Sequence, residues 1–224
     1  MDKEIHRVAI VGAGGMGGLF GSILSSGGLD VTLIDTNRKQ IEAISQNGLR
    51  ISGFGGERQL RLPIKHDVAQ VQQADVVLVQ CKGTSTRDAA LAMKHLAENG
   101  SVFISFQNGL GNEDILADIL GSQNVFGGLT SMAGACIGPG QYQDFGRAPC
   151  FIGEWNGGPS QRAKAIANAF TIAGLETHES KDIRVDIWKK LVGNMAMSAV
   201  AGVTNLTSAE IMRQVSLREV CFTA

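Results

Sequence analysis

The sequence of 224 residues predicts an α/β fold: an open, mostly parallel sheet with helices on its faces and antiparallel strands added at its edge, followed by an all-α segment. Three observations carry the prediction. Short β-branched runs alternate with stretches of helical spacing from Val8 as far as Thr130, and such alternation builds parallel sheets through crossover connections. The strand runs are apolar at consecutive positions, as strands covered on both faces must be. After Gly157-Gly158-Pro159 the strand signals stop and helical periodicity takes over.

The elements follow in order. Val8-Ala9-Ile10-Val11 is a buried strand halted by glycine, and a glycine-rich turn leads into a helix over Met16 to Leu24. Val31 to Ile34 is the second strand, ending on Asp35. Residues 37–46 form a helix that exits at Asn47-Gly48. Residues 49–64, with Gly53, Gly55, Gly56 and Pro63, alternate enough for a hairpin or short strands. Val76 to Val79 is a further buried strand, with a helix running on through Ala97. Ser101 to Phe106 is the next, followed by Gln107-Asn108-Gly109, a helix from Asn112 to Leu120, and a strand over Val125 to Thr130. Residues 131–154 are short apolar pieces broken by glycine and proline, and these supply the antiparallel edge strands. Helices are expected near 160–173, 182–202 and 207–219. The domain boundary is placed so that residues 1–178 form the α/β domain and 179–224 begin a helical one.

Composition excludes several classes. Twenty basic and twenty-one acidic side chains leave a net charge of −1, so no global field draws nucleic acid or an anionic membrane. The longest weakly polar stretch, Leu191 to Val203, is too short for the ~30 Å hydrocarbon core of a bilayer. Cys81, Cys136, Cys150 and Cys221 lie far apart with no CxxC pair, so reduced thiols in a cytoplasmic protein are preferred over two disulfides. Glycine stands out: 29 residues, nearly twice the ~7% background, without a collagen period.

Part of that glycine forms a motif. Gly12-Ala13-Gly14-Gly15-Met16-Gly17 matches G-x-G-x-x-G between a strand and a helix. In a Rossmann dinucleotide-binding domain the first glycine permits the turn, the second lets the backbone approach a pyrophosphate, and the third packs helix on strand. The helix N-terminus then offers N–H donors to the anion. Asp35, at the end of the second strand, is placed for a ribose 2′-hydroxyl and favours NAD(H). Arg38, one residue beyond Asn37, is a candidate for the 2′-phosphate of NADP(H), so both cofactors stay open; its plainer reading is a solvated residue at a helix start. Lys82 and Asn108 follow two other predicted strands at their carboxyl ends, where open α/β sheets bind ligands. Their plainer readings are a surface lysine and a turn residue.

The helix after Asp186 is almost wholly apolar or small from Leu191 onward and is expected to be buried. Trp188, Leu191, Val192 and Met195 form its expected packing stripe. Lys190, Asn194 and Ser198 fall at i, i+4, i+8 on one face, where a lysine beside an amide and a hydroxyl is a candidate proton donor. An ordinary helix with an exposed edge at Lys189-Lys190 is the alternative.

Taken together, Gly12-x-Gly14-x-x-Gly17, Lys82, Gln107-Asn108-Gly109-Leu110-Gly111-Asn112-Glu113 and Ile187-Trp188-Lys189-Lys190-Leu191-Val192-Gly193-Asn194 resemble the ketopantoate reductase (2-dehydropantoate 2-reductase) family of the 6-phosphogluconate dehydrogenase-like superfamily. The resemblance implies hydride transfer from a nicotinamide to the carbonyl of a small 2-oxo acid, without a metal. Lys190 would protonate the alkoxide and Asn194 hold the substrate. Lys82 and Asn108 would contact both substrate and cofactor, and Ser198 stands where the family has a second asparagine. Gly12 to Gly17, Asp35 and Arg38 would bind the cofactor. Three features depart from the family pattern: Ser198, Ser208, and Asp35-Thr36 where an arginine is common. Family members also continue with further helices that often carry their dimer contacts, so a shortened helical domain is expected here and a homodimer stays an open alternative. A related dehydrogenase on another keto or hydroxy acid, and a dinucleotide-binding paralogue without turnover, are the alternatives.

Overall fold

The computed structural model describes residues 4–223. In chain order the elements are β1 (Arg7–Val11), α1 (Gly15–Ser26), β2 (Asp30–Ile34), α2 (Arg38–Asn47), β3 (Leu49–Gly53), β4 (Arg58–Leu60), β5 (Ile64–Lys65) and β6 (Val76–Val79). They continue with α3 (Thr86–Ala92), α4 (Lys94–Glu98), β7 (Val102–Ser105), α5 (Asn112–Leu120), β8 (Val125–Thr130), β9 (Gly134–Gly138), β10 (Gln141–Asp144), β11 (Cys150–Glu154), α6 (Gln161–Ile172) and β12 (Thr177–Glu179). The last helices are α7 (Ile183–Thr204), α8 (Ser208–Arg213) and α9 (Val215–Thr223). The chain divides into two compact units, one ending at Ile183 and one starting at Arg184.

The main sheet of the first unit has the order β12-β11-β8-β7-β6-β1-β2-β5. Its centre is parallel: β1 pairs with β2 on one side and β6 on the other, and β7 and β8 continue outward in the same direction. Val8 to Val11 and Val76 to Val79 are buried at every position, which is why their sequences do not alternate. Each such aliphatic side chain taken out of water contributes roughly 1.5–3 kcal/mol. Phe20 of α1 meets Phe106, just past β7, edge to face at 5.1 Å between ring centroids. Because the chain builds β2 on one side of β1 and then crosses to β6 on the other, a crevice opens beyond the carboxyl ends of β1 and β6.

The edge strands differ from the sequence expectation. Only β11 joins the main sheet, antiparallel to β8. β9 and β10 instead form a separate sheet with the 49–60 segment, in the order β4-β3-β10-β9. Their glycines explain the change. Gly134 of β9 lies so close to α1 that a Cβ on Gly15 would sit 2.5 Å from the Gly134 carbonyl oxygen. A Cβ on Gly18 of α1 would strike the Tyr142 ring at 2.2 Å. The second sheet thus packs on α1 across positions that only glycine fits. Beyond α6, a short strand that periodicity does not signal, β12, pairs in parallel with β11 and carries the main sheet to Glu179.

In the second unit the apolar face of α7 that packs is not the one the periodicity suggests. Val200, Ile211 and Cys221 form its core, with Ala196, Met197, Ala201, Leu206 and Leu217 packed around them. Trp188, Val192 and Met195 are exposed, at 56%, 63% and 63%, and Leu191 is only half-buried. The expectation of an all-round buried helix fails because α8 and α9 are short, covering one side of the carboxyl-terminal half of α7. Among the described residues no helix is long and apolar enough to cross a membrane.

Candidate functional site

Strand β1 ends at Gly12, which has φ +106, a left-handed conformation that suits glycine. A Cβ there would lie 2.7 Å from the backbone of Gln80 and Cys81, so the turn and the end of β6 are in contact. Gly14 caps α1 with no side-chain hydrogen bond, and no acidic residue stands in the first turn. The first N–H groups of a helix have no intrahelical partner, so this end of α1 is an open donor site with positive potential. Gly17 has the third role expected of the motif: a Cβ there would come within 1.8 Å of the Gly12 carbonyl oxygen.

The turn is braced from below. The Ala13 N–H donates to the Asp35 carboxylate at 2.7 Å, and the Ala13 carbonyl accepts from the Tyr142 hydroxyl at 2.8 Å and from Gln40 Nε2 at 2.9 Å. Gln40 Nε2 also donates to the Tyr142 oxygen at 2.5 Å, and Gln40 Oε1 accepts from the Gly140 N–H at 3.1 Å. Burial pushes the Tyr142 phenol well above its ordinary range, so it stays a neutral donor.

A cleft of about 1030 Å³ lies over these elements. Gly12, Gly14, Gly15, Met16, Asp35, Lys82 and Asn108 all line it, so seven of the sequence candidates meet at one place. Ala13 and Gly17 stand behind the lining, acting through the turn. Arg38 lines a neighbouring groove of about 640 Å³ with Ile41, Glu42 and Ser45, and that groove shares Thr36 and His66 with the cleft. The second carboxylate oxygen of Asp35 accepts from the Asn37 N–H at 2.8 Å, which fixes the carboxylate at the end of β2.

The far wall joins two loops. Gln107 Nε2 donates to the Cys81 carbonyl at 2.8 Å and to the Thr86 hydroxyl at 2.9 Å. Thr86 in turn donates to Asn112 Oδ1 at 3.0 Å, and Asn112 Nδ2 to the Asn108 carbonyl at 3.4 Å. Burial pushes the Cys81 thiol above its ordinary range, with its own backbone N–H and the Thr86 hydroxyl opposing that rise. Glu113 is buried at the start of α5, and neither of its carboxylate oxygens has a hydrogen-bond partner. Burial raises its pKa, an effect tempered by the nearby Ser105 hydroxyl.

Lys190, Asn194 and Ser198 belong to the second unit, on α7, where Lys190 and Asn194 are half-buried and Ser198 is exposed. Gln40, Tyr142 and Thr86 are absent from the sequence-derived candidates, and Gln107 and Asn112 stand in the 107–113 segment without a role assigned to them there. Gln107 carried a signal, standing next to Asn108 at a strand end; Tyr142 carried only its being the single tyrosine. Among the described residues no group of three or more His, Cys, Asp or Glu side chains is arranged to hold a metal ion.

An uncapped glycine turn at the switch point of a doubly wound sheet, with an acid ending the second strand, defines a Rossmann-type dinucleotide-binding protein. Comparison with known proteins narrows this. The family profile described as Ketopantoate reductase PanE/ApbA matches residues 8–157, and its C-terminal counterpart matches residues 182–223. The chain belongs to the ketopantoate reductase family, a family of oxidoreductases. It is 33% identical over 218 residues to the 2-dehydropantoate 2-reductase of Archaeoglobus fulgidus, covering 97% of this chain and 70% of that one. The crystal structure of 2-dehydropantoate 2-reductase from Geobacter metallireducens is similar at a TM-score of 0.88 and 28% identity, covering 96% of this chain and 71% of that one. A ternary structure of D-mandelate dehydrogenase with NADH and anilino(oxo)acetate is similar at a TM-score of 0.89 and 27% identity, over 96% and 69% of the two chains.

Proposed function

We propose that this protein reduces the ketone of a small 2-oxo acid to the 2-hydroxy acid, with ketopantoate (2-dehydropantoate) as the first substrate to test and NADH as the preferred reductant. The observation that carries the reading is the convergence of the uncapped glycine turn, Asp35, Lys82 and Asn108 on one cleft in a chain of this family. The residues present fit a dinucleotide: the open end of α1 offers donors for a pyrophosphate, and Gly14 leaves the backbone bare beside it.

When bound, the nicotinamide supplies a hydride to the carbonyl carbon. The protein's own groups do the rest. The carbonyl oxygen gains negative charge as the hydride arrives, and Lys190 donates the proton that completes the hydroxyl. A cation that meets charge growing in the transition state accelerates the step, whereas equal binding of ground and transition states does not. Asn194 holds the substrate, assisted by Ser198, while Lys82 and Asn108 hold substrate and nicotinamide ends in register. Asp35 accepts from the ribose hydroxyls and repels a 2′-phosphate, which supports NADH. Arg38 lines the neighbouring groove rather than the cleft itself. Four free thiols suit a reducing, cytoplasmic setting, and a homodimer completes the reading.

D-mandelate dehydrogenase supports a second reading, in which the substrate is another 2-oxo acid, since that similar structure holds anilino(oxo)acetate. NADH and NADPH oxidation against a panel of 2-oxo acids separates the two. In the same assay Lys190→Ala is expected to lower turnover by about 10²–10⁴, the usual worth of a general acid, while the NADH dissociation constant stays within about twofold. Turnover by Lys190→Ala at the native rate would overturn the proton-donor assignment.

A further inference from the structure

We infer that Thr86 and Asn112 are positioning residues that set the spacing of Lys82 and Asn108 without touching any ligand. The inference rests on the reading above for what Lys82 and Asn108 do. The two loops follow neighbouring strands, β6 and β7, whose pairing fixes where the loops begin but ends at Val79 and Ser105, short of Lys82 and Asn108. Beyond that point a chain of hydrogen bonds ties one loop to the other. It starts at the Cys81 carbonyl, one residue before Lys82, passes through Gln107 Nε2, the Thr86 hydroxyl and the Asn112 amide, and ends at the carbonyl of Asn108 itself.

The directions agree at each link. The Thr86 hydroxyl accepts from Gln107 and donates to Asn112, using both capacities of the group. The Asn112 amide accepts through its oxygen and donates through its nitrogen. Thr86 is fully buried and Asn112 nearly so, and neither lines the cleft. Packing adds a second constraint: a Cβ on Gly83 would lie 3.1 Å from Asn112 Oδ1, so the amide of one loop presses on the backbone beside Lys82 in the other. The Thr86–Asn112 link is buried and the other three are partly buried, so breaking one leaves polar groups short of partners on both sides.

Thr86→Val keeps the shape and removes the relay; Thr86→Ser keeps the relay. If the circuit sets the site, Thr86→Val loses about ten- to a hundredfold in kcat, as small misplacements of reacting groups do. Its NADH dissociation constant rises by no more than about threefold, since the glycine turn is untouched and only the contacts of Lys82 and Asn108 at the nicotinamide end shift, and Thr86→Ser recovers most of the rate. Asn112→Ala breaks the same circuit at its other end, so the double variant should lose no more than the worse single one. Backbone hydrogen exchange provides a readout that does not depend on turnover: Thr86→Val should speed exchange in residues 82–85 and 108–111 together, but not in 12–17. Native kcat in Thr86→Val, loss that tracks cofactor affinity, failure of Thr86→Ser to recover, additive losses, or exchange rising in one loop alone would each overturn the inference. A native chain that reduces no 2-oxo acid would overturn the functional reading instead, and the exchange measurement would still decide whether the two loops are coupled.

Discussion

Replacing Gly14 with alanine separates what the protein needs from what its ligand needs. An added Cβ at Gly14 meets nothing within 4 Å, and the backbone there, at φ −71 and ψ −167, is open to any residue. Alanine restricts the unfolded chain, which stabilises by about 0.4–1 kcal/mol. It is also a poorer helix cap than glycine, at a cost of a few tenths to about 1 kcal/mol. The two offset, so the stability of Gly14→Ala is expected within about 0.5 kcal/mol of native by urea unfolding. A pyrophosphate lying over the end of α1 would meet the new methyl directly. NADH affinity, read by fluorescence titration, is therefore expected to fall ten- to a hundredfold, about 1.4–2.7 kcal/mol. Gly17→Ala is the contrast. Its Cβ would sit 1.8 Å from the Gly12 carbonyl oxygen, so α1 must move off β1 and stability falls by at least the ~1–3 kcal/mol typical of overpacking. Unchanged NADH affinity in a stable Gly14→Ala protein would show that no dinucleotide crosses this turn. A strongly destabilised Gly14→Ala would show that the space beside it is not there.

Two further expectations follow from Asp35, which lines the cleft, and Glu113, buried at the start of α5. Asp35→Asn removes the charge while keeping an oxygen for the Ala13 N–H, so the preference for NADH over NADPH should narrow by about tenfold, one charge–phosphate repulsion of roughly 1.4 kcal/mol; an unchanged ratio of the two dissociation constants would refute the role given to Asp35. Glu113 has its pKa raised by burial, so the folded chain holds that proton more tightly than the unfolded one. Its contribution is therefore present in acid, below the unfolded carboxyl range, and is lost as pH rises through the folded value. Glu113→Leu removes both unpartnered oxygens and should raise stability above neutrality by about 1–3 kcal/mol, abolishing that slope. Urea melts across the acid-to-neutral range check this, and a native slope in the variant would refute it.

The parallel core and its cleft were legible because they obey local rules. Val8 to Val11 and Val76 to Val79 declare buried strands by composition, and Gly12 and Gly17 stand where the motif's turn and helix–strand packing leave no room for a Cβ. Asp35, Lys82 and Asn108 could be placed because strand ends in an open sheet point to one crevice. The second sheet was not legible, because β3 and β10 pair in parallel across some ninety residues and no local pattern encodes that partner. For the same reason Tyr142 and Gln40 escaped notice: their purpose is a carbonyl at Ala13 that sequence spacing does not connect to them. On α7, apolar periodicity alone did not show which face α8 and α9 would cover.

The brace beneath the glycine turn has a consequence for the birth of the molecule. Tyr142 lies 129 residues after Ala13, so a growing chain carries its nucleotide motif long before the support for it has been synthesised. Non-local parallel pairing is slow to form, since the entropy of closing the intervening loop is lost before any contact repays it. The ability to retain a dinucleotide should therefore emerge late in maturation, and excess cofactor present during refolding should pull the last step toward completion by mass action.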